Sequence, residues 1–213
     1  MLNKPKIELR PFPPFLPPGA TVLMMGSFPP AAKKRAMAFH YPNFQNDMWR
    51  VYGLVFFGDA AHFQKSGEKA FDAARIKAFL TERGIASCPT VRRAIRTHGN
   101  ASDAFLKVVE KVDLPAVLTK IPMCRRICTT GGKATEILLS LLATETKATD
   151  FKAGETIAAR CADRDLLITR LPSTSRAYPM KLAEKAAAYR RFFVAAGFAV
   201  ADETEVHRSK GGG

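Results

Sequence analysis

Apolar positions along the chain fall into short continuous runs separated by helical stripes. Thr21 to Met25 is one such run and stops at Gly26. Ile85-Ala86-Ser87-Cys88 is a second, stopped by Pro89. Arg126-Ile127-Cys128-Thr129 leads into Gly131-Gly132, and Asp165 to Thr169 is a fourth. Runs of this length without alternation fit strands buried on both faces, as in a parallel sheet. Between them, residues 69–82 repeat apolar positions at helical spacing (Phe71, Ala74, Ala78, beside Ile76, Phe79 and Leu80), and Gly84 supplies the stop. Asn100-Ala101-Ser102-Asp103 reads as a helix start ahead of Phe105, Val108, Val109 and Val112. Further helices are expected through Ala116-Val117-Leu118 and along Ala134, Ile137, Leu138, Leu141 and Leu142. Met48 and Trp49, followed by Val51, Leu54 and Val55, start another, with Asp47 as its capping residue. Pro179 suits the first turn of a last helix, whose stripe is Leu182, Ala186, Tyr189 and Phe193.

Strands alternating with helices predict an α/β fold around a central, mostly parallel four-stranded sheet. The ligand site of such a sheet lies at the carboxyl ends of its strands. Residues 1–20 hold six of the 14 prolines and read as an extended N-terminal arm, because proline fixes φ and removes a donor. Residues 21–200 read as one α/β domain and 201–213 as a loose C-terminal tail.

Charge changes the picture. Thirty-three Lys and Arg against 19 Asp and Glu give a net charge of +14, which suits a polyanionic partner such as nucleic acid. No stretch reaches the roughly 20 apolar residues of a membrane span. The N-terminus lacks an apolar signal core, so a cytoplasmic chain is expected. Cys88, Cys124, Cys128 and Cys161 include no C-x2-C pair, and their apolar neighbours favour reduced, partly buried thiols over a metal or cluster.

If the strands are parallel, three unusual loops open on one side: Gly26-Ser27-Phe28-Pro29-Pro30, Thr129 to Ala134, and Leu171 to Pro179. Each alone is equally well a turn or polar filler. Together, on a basic chain, they suggest a site. Hydroxyls and backbone N–H groups of Ser173, Thr174 and Ser175 suit phosphate oxygens. Lys133, Arg176 and Tyr178 add charge and a stacking surface. Gly131-Gly132-Lys133 lacks the spacing of a phosphate loop, which argues against an NTP site. A Ser27 hydrolase is a rival, yet there is no G-x-S-x-G elbow and no paired histidine in the sequence. His40 is either a satisfied core histidine or an aid to a leaving group.

The segments Gly26-Ser27-Phe28-Pro29, Tyr41-x-x-x-x-Asn46-x-Met48-Trp49, Thr130-Gly131-x-Lys133-Ala134 and Leu171-Pro172-Ser173-Thr174-Ser175 resemble the uracil-DNA glycosylase superfamily. The likeness runs from Thr21 to Phe193. It is nearest to the hypoxanthine-DNA glycosylase-like branch, with the mismatch-specific uracil-DNA glycosylases next. It implies a three-layer α/β sandwich that flips a deaminated base (uracil or hypoxanthine type) out of DNA and hydrolyses its N-glycosidic bond. Mismatch-specific relatives carry their catalytic Asn in a G-[IL]-N-P-G loop, whose counterpart here has no Asn. The resemblance to the hypoxanthine branch puts that role on Asn46. It makes Tyr41 the surface under the base and places Gly26, Ser27, Phe28 and Thr130 around it. Thr130 stands where an F-N-G motif has Asn, which changes the donor and acceptor pattern offered to the base. Ser173, Thr174, Ser175, Arg176, Tyr178 and Lys133 are then the DNA-binding set. The implied chemistry is monofunctional, needs no cofactor and no metal, and has damaged or mismatched DNA as its partner. No membrane is involved, and a monomer is the default. The alternative within the same fold is an inactive nucleic-acid-binding module.

Overall fold

The computed structural model describes residues 6–96 and 105–202. Strand β1 is Ile7–Leu9 and β2 is Val22–Met25, followed by helices α1 (Met48–Phe57) and α2 (Ala73–Glu82). Then come β3 (Ile85–Ser87), β4 (Val91–Arg96), β5 (Leu106–Lys111), α3 (Leu114–Thr119), β6 (Arg126–Thr129) and α4 (Gly132–Leu139). The chain closes with β7 (Thr156–Cys161), β8 (Arg164–Arg170) and α5 (Leu182–Ala195).

The main sheet has the order β3-β2-β6-β8-β7. The four runs expected as strands are β2, β3, β6 and β8, and they pair in parallel. The sheet is nevertheless mixed and five-stranded, because β7 adds to β8 in antiparallel. That strand was not expected from the sequence. Its side chains are mostly small or polar, and it lies half exposed at the sheet edge. Its hairpin turn also lacks a glycine: Ala162 takes φ 50, a conformation that normally attracts Gly or Asn.

A second sheet, β1-β4-β5, is wholly antiparallel. Part of the proline-rich arm, expected as extended chain, pairs there as the edge strand β1. The sheet also corrects one expectation. Leu106–Lys111, expected within a helix, is a strand; the helix-start signal at 100–103 lies outside the described residues. Leu106 and Val108 pack toward Ala94 and Ile137, whereas Phe105 and Val109 are exposed. The burial therefore alternates with period two rather than following a helical stripe.

Residues of β2, β3 and β6 divide between two cores. The apolar residues of β8 enter only the second, and Leu167 on its other face is 37 % exposed, so β8 is not buried on both faces, contrary to expectation. Val22, Met24, Ile85 and Cys128 face Trp49, Tyr52 and Phe56 of α1, Phe79 of α2, and Tyr189 and Phe193 of α5. Leu23, Met25, Ala86, Ile127 and Ile168 face Val117 of α3 and Leu138 of α4. The result is three layers, helix–sheet–helix. The α5 stripe packs as its spacing predicts, with the Phe193 ring edge-on to Tyr52 at 5.3 Å. Helix α2 starts later than its apolar repeat because Asp72 caps it, accepting from the amides of Ala74 and Arg75 at 2.9 and 3.0 Å. Helix α4 stops at Leu139, and Leu141 and Leu142 pack beyond its end. Ala201, expected in a loose tail, is held by its amide to the Val55 carbonyl at 3.0 Å. All four cysteines are buried free thiols. No helix among the described residues is long and apolar enough to cross a membrane.

Candidate active site

Because β2, β6 and β8 are parallel, Gly26, Thr130 and Leu171 leave the sheet at the same edge. A cleft of about 540 Å³ opens there. It gathers Gly26, Ser27, Phe28, Tyr41, Asn46, Thr130 and the run Ser173 to Arg176 from positions up to 150 residues apart. Lys133 and Tyr178 are not among its lining residues; the Lys133 ammonium is 3.1 Å from Glu136 on its own helix.

Each wall is fixed by local chemistry. On the first loop, the Gly26 carbonyl accepts from the Thr90 amide at 2.8 Å and the Ser27 carbonyl from the Val91 amide at 3.1 Å. Two arginines hold the rest of that loop. Arg96 donates to the Pro29 carbonyl and lies over the Phe28 ring, and Arg35 donates to the Pro30 carbonyl at 2.8 Å. Burial, then the neighbouring Arg96, lower the Arg35 pKa from its ordinary value.

Tyr41 adopts φ 52, a left-handed conformation costly for a bulky residue. Its environment enforces it. The Trp49 indole N–H donates to the His40 carbonyl at 3.1 Å, and the Tyr41 hydroxyl lies 2.8 Å from the Thr130 hydroxyl. Gly26 permits this approach, since a Cβ there would sit 2.8 Å from the Tyr41 hydroxyl oxygen.

Asn46 Oδ1 accepts from the Met48 amide at 2.9 Å, so Asn46 caps α1. Asp47 was expected in that role. It occupies the N-cap position, but its side chain makes no cap bond. Its carboxylate is drawn instead to the Lys185 ammonium at 2.9 Å. That bond uses one lone pair of Oδ1, so the Asn46 carboxamide keeps a second acceptor position beside its amide donors for a ligand or water. Arg50, buried between the Phe44 and Phe71 rings, donates to the carbonyls of Phe44 and Asn46 at 2.7 and 3.2 Å. It braces the segment that presents Asn46.

His40 is fully engaged. Nε2 faces the Pro13 carbonyl at 3.0 Å, so that nitrogen carries the proton and Nδ1 accepts from the Ser87 hydroxyl at 2.7 Å. Burial first, with Arg10 and Lys77 contributing, pushes its pKa down to about 4. A neutral ring with both nitrogens used does not protonate a leaving group near pH 7, which removes that option for His40. The Ser87–His40 pair was invisible in sequence, 47 residues apart.

Helices α1 and α4 both begin at this cleft, and their N-terminal dipole ends favour negative charge there. Gly131, at φ 145, makes the turn from β6 into α4 and brings the backbone up to Ser173. Arg50, Ser87 and Lys185 were not singled out from sequence. For Lys185 a signal existed, a lysine within the apolar stripe of α5.

No family model matches this chain, and no curated protein does. A solved structure does match: the solution NMR structure of a protein from Methanosarcina acetivorans provisionally assigned as a uracil DNA glycosylase. The identity is 21 %, the likeness covers 88 % of this chain and 99 % of that one, and the TM-score is 0.57. At this identity the likeness is one of fold. This chain has the three-layer α/β fold of that protein.

Proposed function

We propose that this protein is a monofunctional DNA glycosylase that removes a deaminated base of uracil or hypoxanthine type and leaves an abasic site. The observation that carries this reading is the convergence of Asn46, Tyr41, Thr130 and the Ser173–Arg176 loop on one cleft at the carboxyl edge of the sheet. The likeness in fold and the net charge of +14 support it.

In this reading the basic surface attracts the DNA backbone, and the 173–176 loop takes phosphate oxygens on the hydroxyls of Ser173 and Ser175 and on Arg176. Thr174, 1 % exposed, packs behind them, and the Ser175 amide is held by the Ser173 hydroxyl. The base leaves the stack, at a cost of a few kcal/mol, and lies against Tyr41. The Asn46 carboxamide hydrogen-bonds the attacking water, with Oδ1 free to accept from it through its second lone pair, and fixes it near C1′. Asn does not act as a strong base here. The bond breaks toward an oxocarbenium-like sugar, for which a positioned weak nucleophile suffices. The departing base carries negative charge. Backbone donors of the Gly26–Ser27 turn, whose carbonyls are turned to Thr90 and Val91, and the start of α4 stabilise it as an oxyanion hole would.

The test is an assay for abasic product on oligonucleotides holding uracil, hypoxanthine, xanthine, or T and U mismatches. Wild type is expected to act on at least one of them. Asn46→Ala is expected to lose roughly 100-fold or more in kcat, by analogy with removing one oriented donor. Absence of product on every substrate favours the inactive binding module. Activity that survives Asn46→Ala removes the role of Asn46 and leaves the reaction class standing.

A further inference from the structure

Helix α5 buries a lysine. Lys185 is 1 % exposed and sits beside Ala186 and Tyr189 on the face turned to the core. An ammonium there is costly unless paired and hydrogen-bonded, and an apolar side chain of similar size is often as stable or more so. Fold stability alone is therefore a poor reason for it. Its partners suggest another. The ammonium donates to Asp47 Oδ2 at 2.9 Å and to the Ser175 carbonyl at 2.9 Å. The Asp47 amide donates to the Thr174 carbonyl at 2.9 Å. One buried cation thus fastens the loop on one side of the cleft to the residue next to Asn46 on the other.

We propose that Lys185 is the positioning residue that sets the 173–176 loop in register with Asn46, a role that rests on the glycosylase reading. Asp47 also faces a second cation, Arg176, at 3.6 Å, but Arg176 is more than half exposed. When a phosphate draws Arg176 away, Lys185 keeps the carboxylate paired. The start of α1 and its Asn46 then stay in place while the loop engages DNA. Lys185 touches no reacting atom and acts through Asp47 and Ser175.

Amide hydrogen exchange on the full chain tests this without relying on activity. In Lys185→Met, the Asp47 amide, released from Thr174, is expected to exchange about tenfold faster or more beyond the change at core amides of Leu23 and Ile127. An Asp47 amide that changes only in step with those core amides overturns the proposal. The double variant Lys185→Met/Asp47→Asn leaves no lone buried charge, so its melting temperature is expected to recover relative to the single variant. Its kcat is expected to stay low and its KM for the oligonucleotide to stay high. A merely structural Lys185 predicts that activity returns with the melting temperature, and that result also overturns the proposal. Should wild type yield no abasic product, the glycosylase reading fails, while the Asp47 exchange still decides whether Lys185 holds the loop.

Discussion

At the scale of the residue, this site is built by committing polar atoms. His40 gives one nitrogen to Pro13 and the other to Ser87; Asn46 gives its oxygen to Met48; Asp47 gives a carboxylate oxygen to Lys185. His40 makes a pH prediction. Its folded pKa of about 4 lies below the ordinary 6.5. The unfolded chain therefore takes up a proton first as pH falls. The stability from the neutral ring is present in full above pH 6.5 and is lost progressively down to about pH 4, to a total of about 3 kcal/mol. Urea denaturation of wild type and His40→Gln between pH 7.5 and 4.5 checks this. The two curves are expected to converge as pH falls, because the variant lacks this group; parallel curves contradict the assignment. Tyr41 and Asn46 stood out in sequence because they did not fit the stripe of α1. Ser87 and Arg50 did not stand out, since one sits inside a strand run and the other inside a helix.

At the scale of the element, legibility followed burial. The parallel strands and α5 are buried on a full face, so their apolar runs and stripe are complete. Phe193 lies at the meeting point of α1 and α5, edge-on to Tyr52 and Phe56. Phe193→Ala is expected to cost about 3–5 kcal/mol, since the fixed neighbouring rings leave a cavity. A thermal or denaturant melt measures it, and a loss under about 1 kcal/mol would mean that the α1–α5 seam is not a tightly packed core. Strand β7 and the β1-β4-β5 sheet were missed for the opposite reason. They are edge or half-exposed strands with few buried apolar positions, so the hydrophobic pattern that marks a strand is short or interrupted in them. Val108 and Val109 also show that a helix-start signal upstream does not override β-branched residues with a sheet partner available.

At the scale of the whole molecule, a net charge of +14 meets a cleft with Lys34 and Arg176 in its lining. Binding to duplex DNA is expected to weaken linearly in a plot of log K against log salt. Arg176→Ala is expected to reduce the slope by about 0.9, the loss of one phosphate contact. Fluorescence anisotropy of a labelled oligonucleotide over a salt series measures it. An unchanged slope would show that Arg176 does not reach a phosphate and stays with Asp47.

The sequence by itself determined the α/β class, the four parallel strands, the edge at which three loops open, and the residues that resemble a glycosylase motif. Each of these is written in neighbouring residues: a run, a stripe, a cap or a spacing. Tertiary structure alone decided the antiparallel edge strand, the second sheet and the partners of the polar side chains. A hydrogen bond between Ser87 and His40, or between Lys185 and Asp47, depends on which strands and helices lie side by side. Local pattern carries no record of that, because pairing is settled by the global burial of apolar surface.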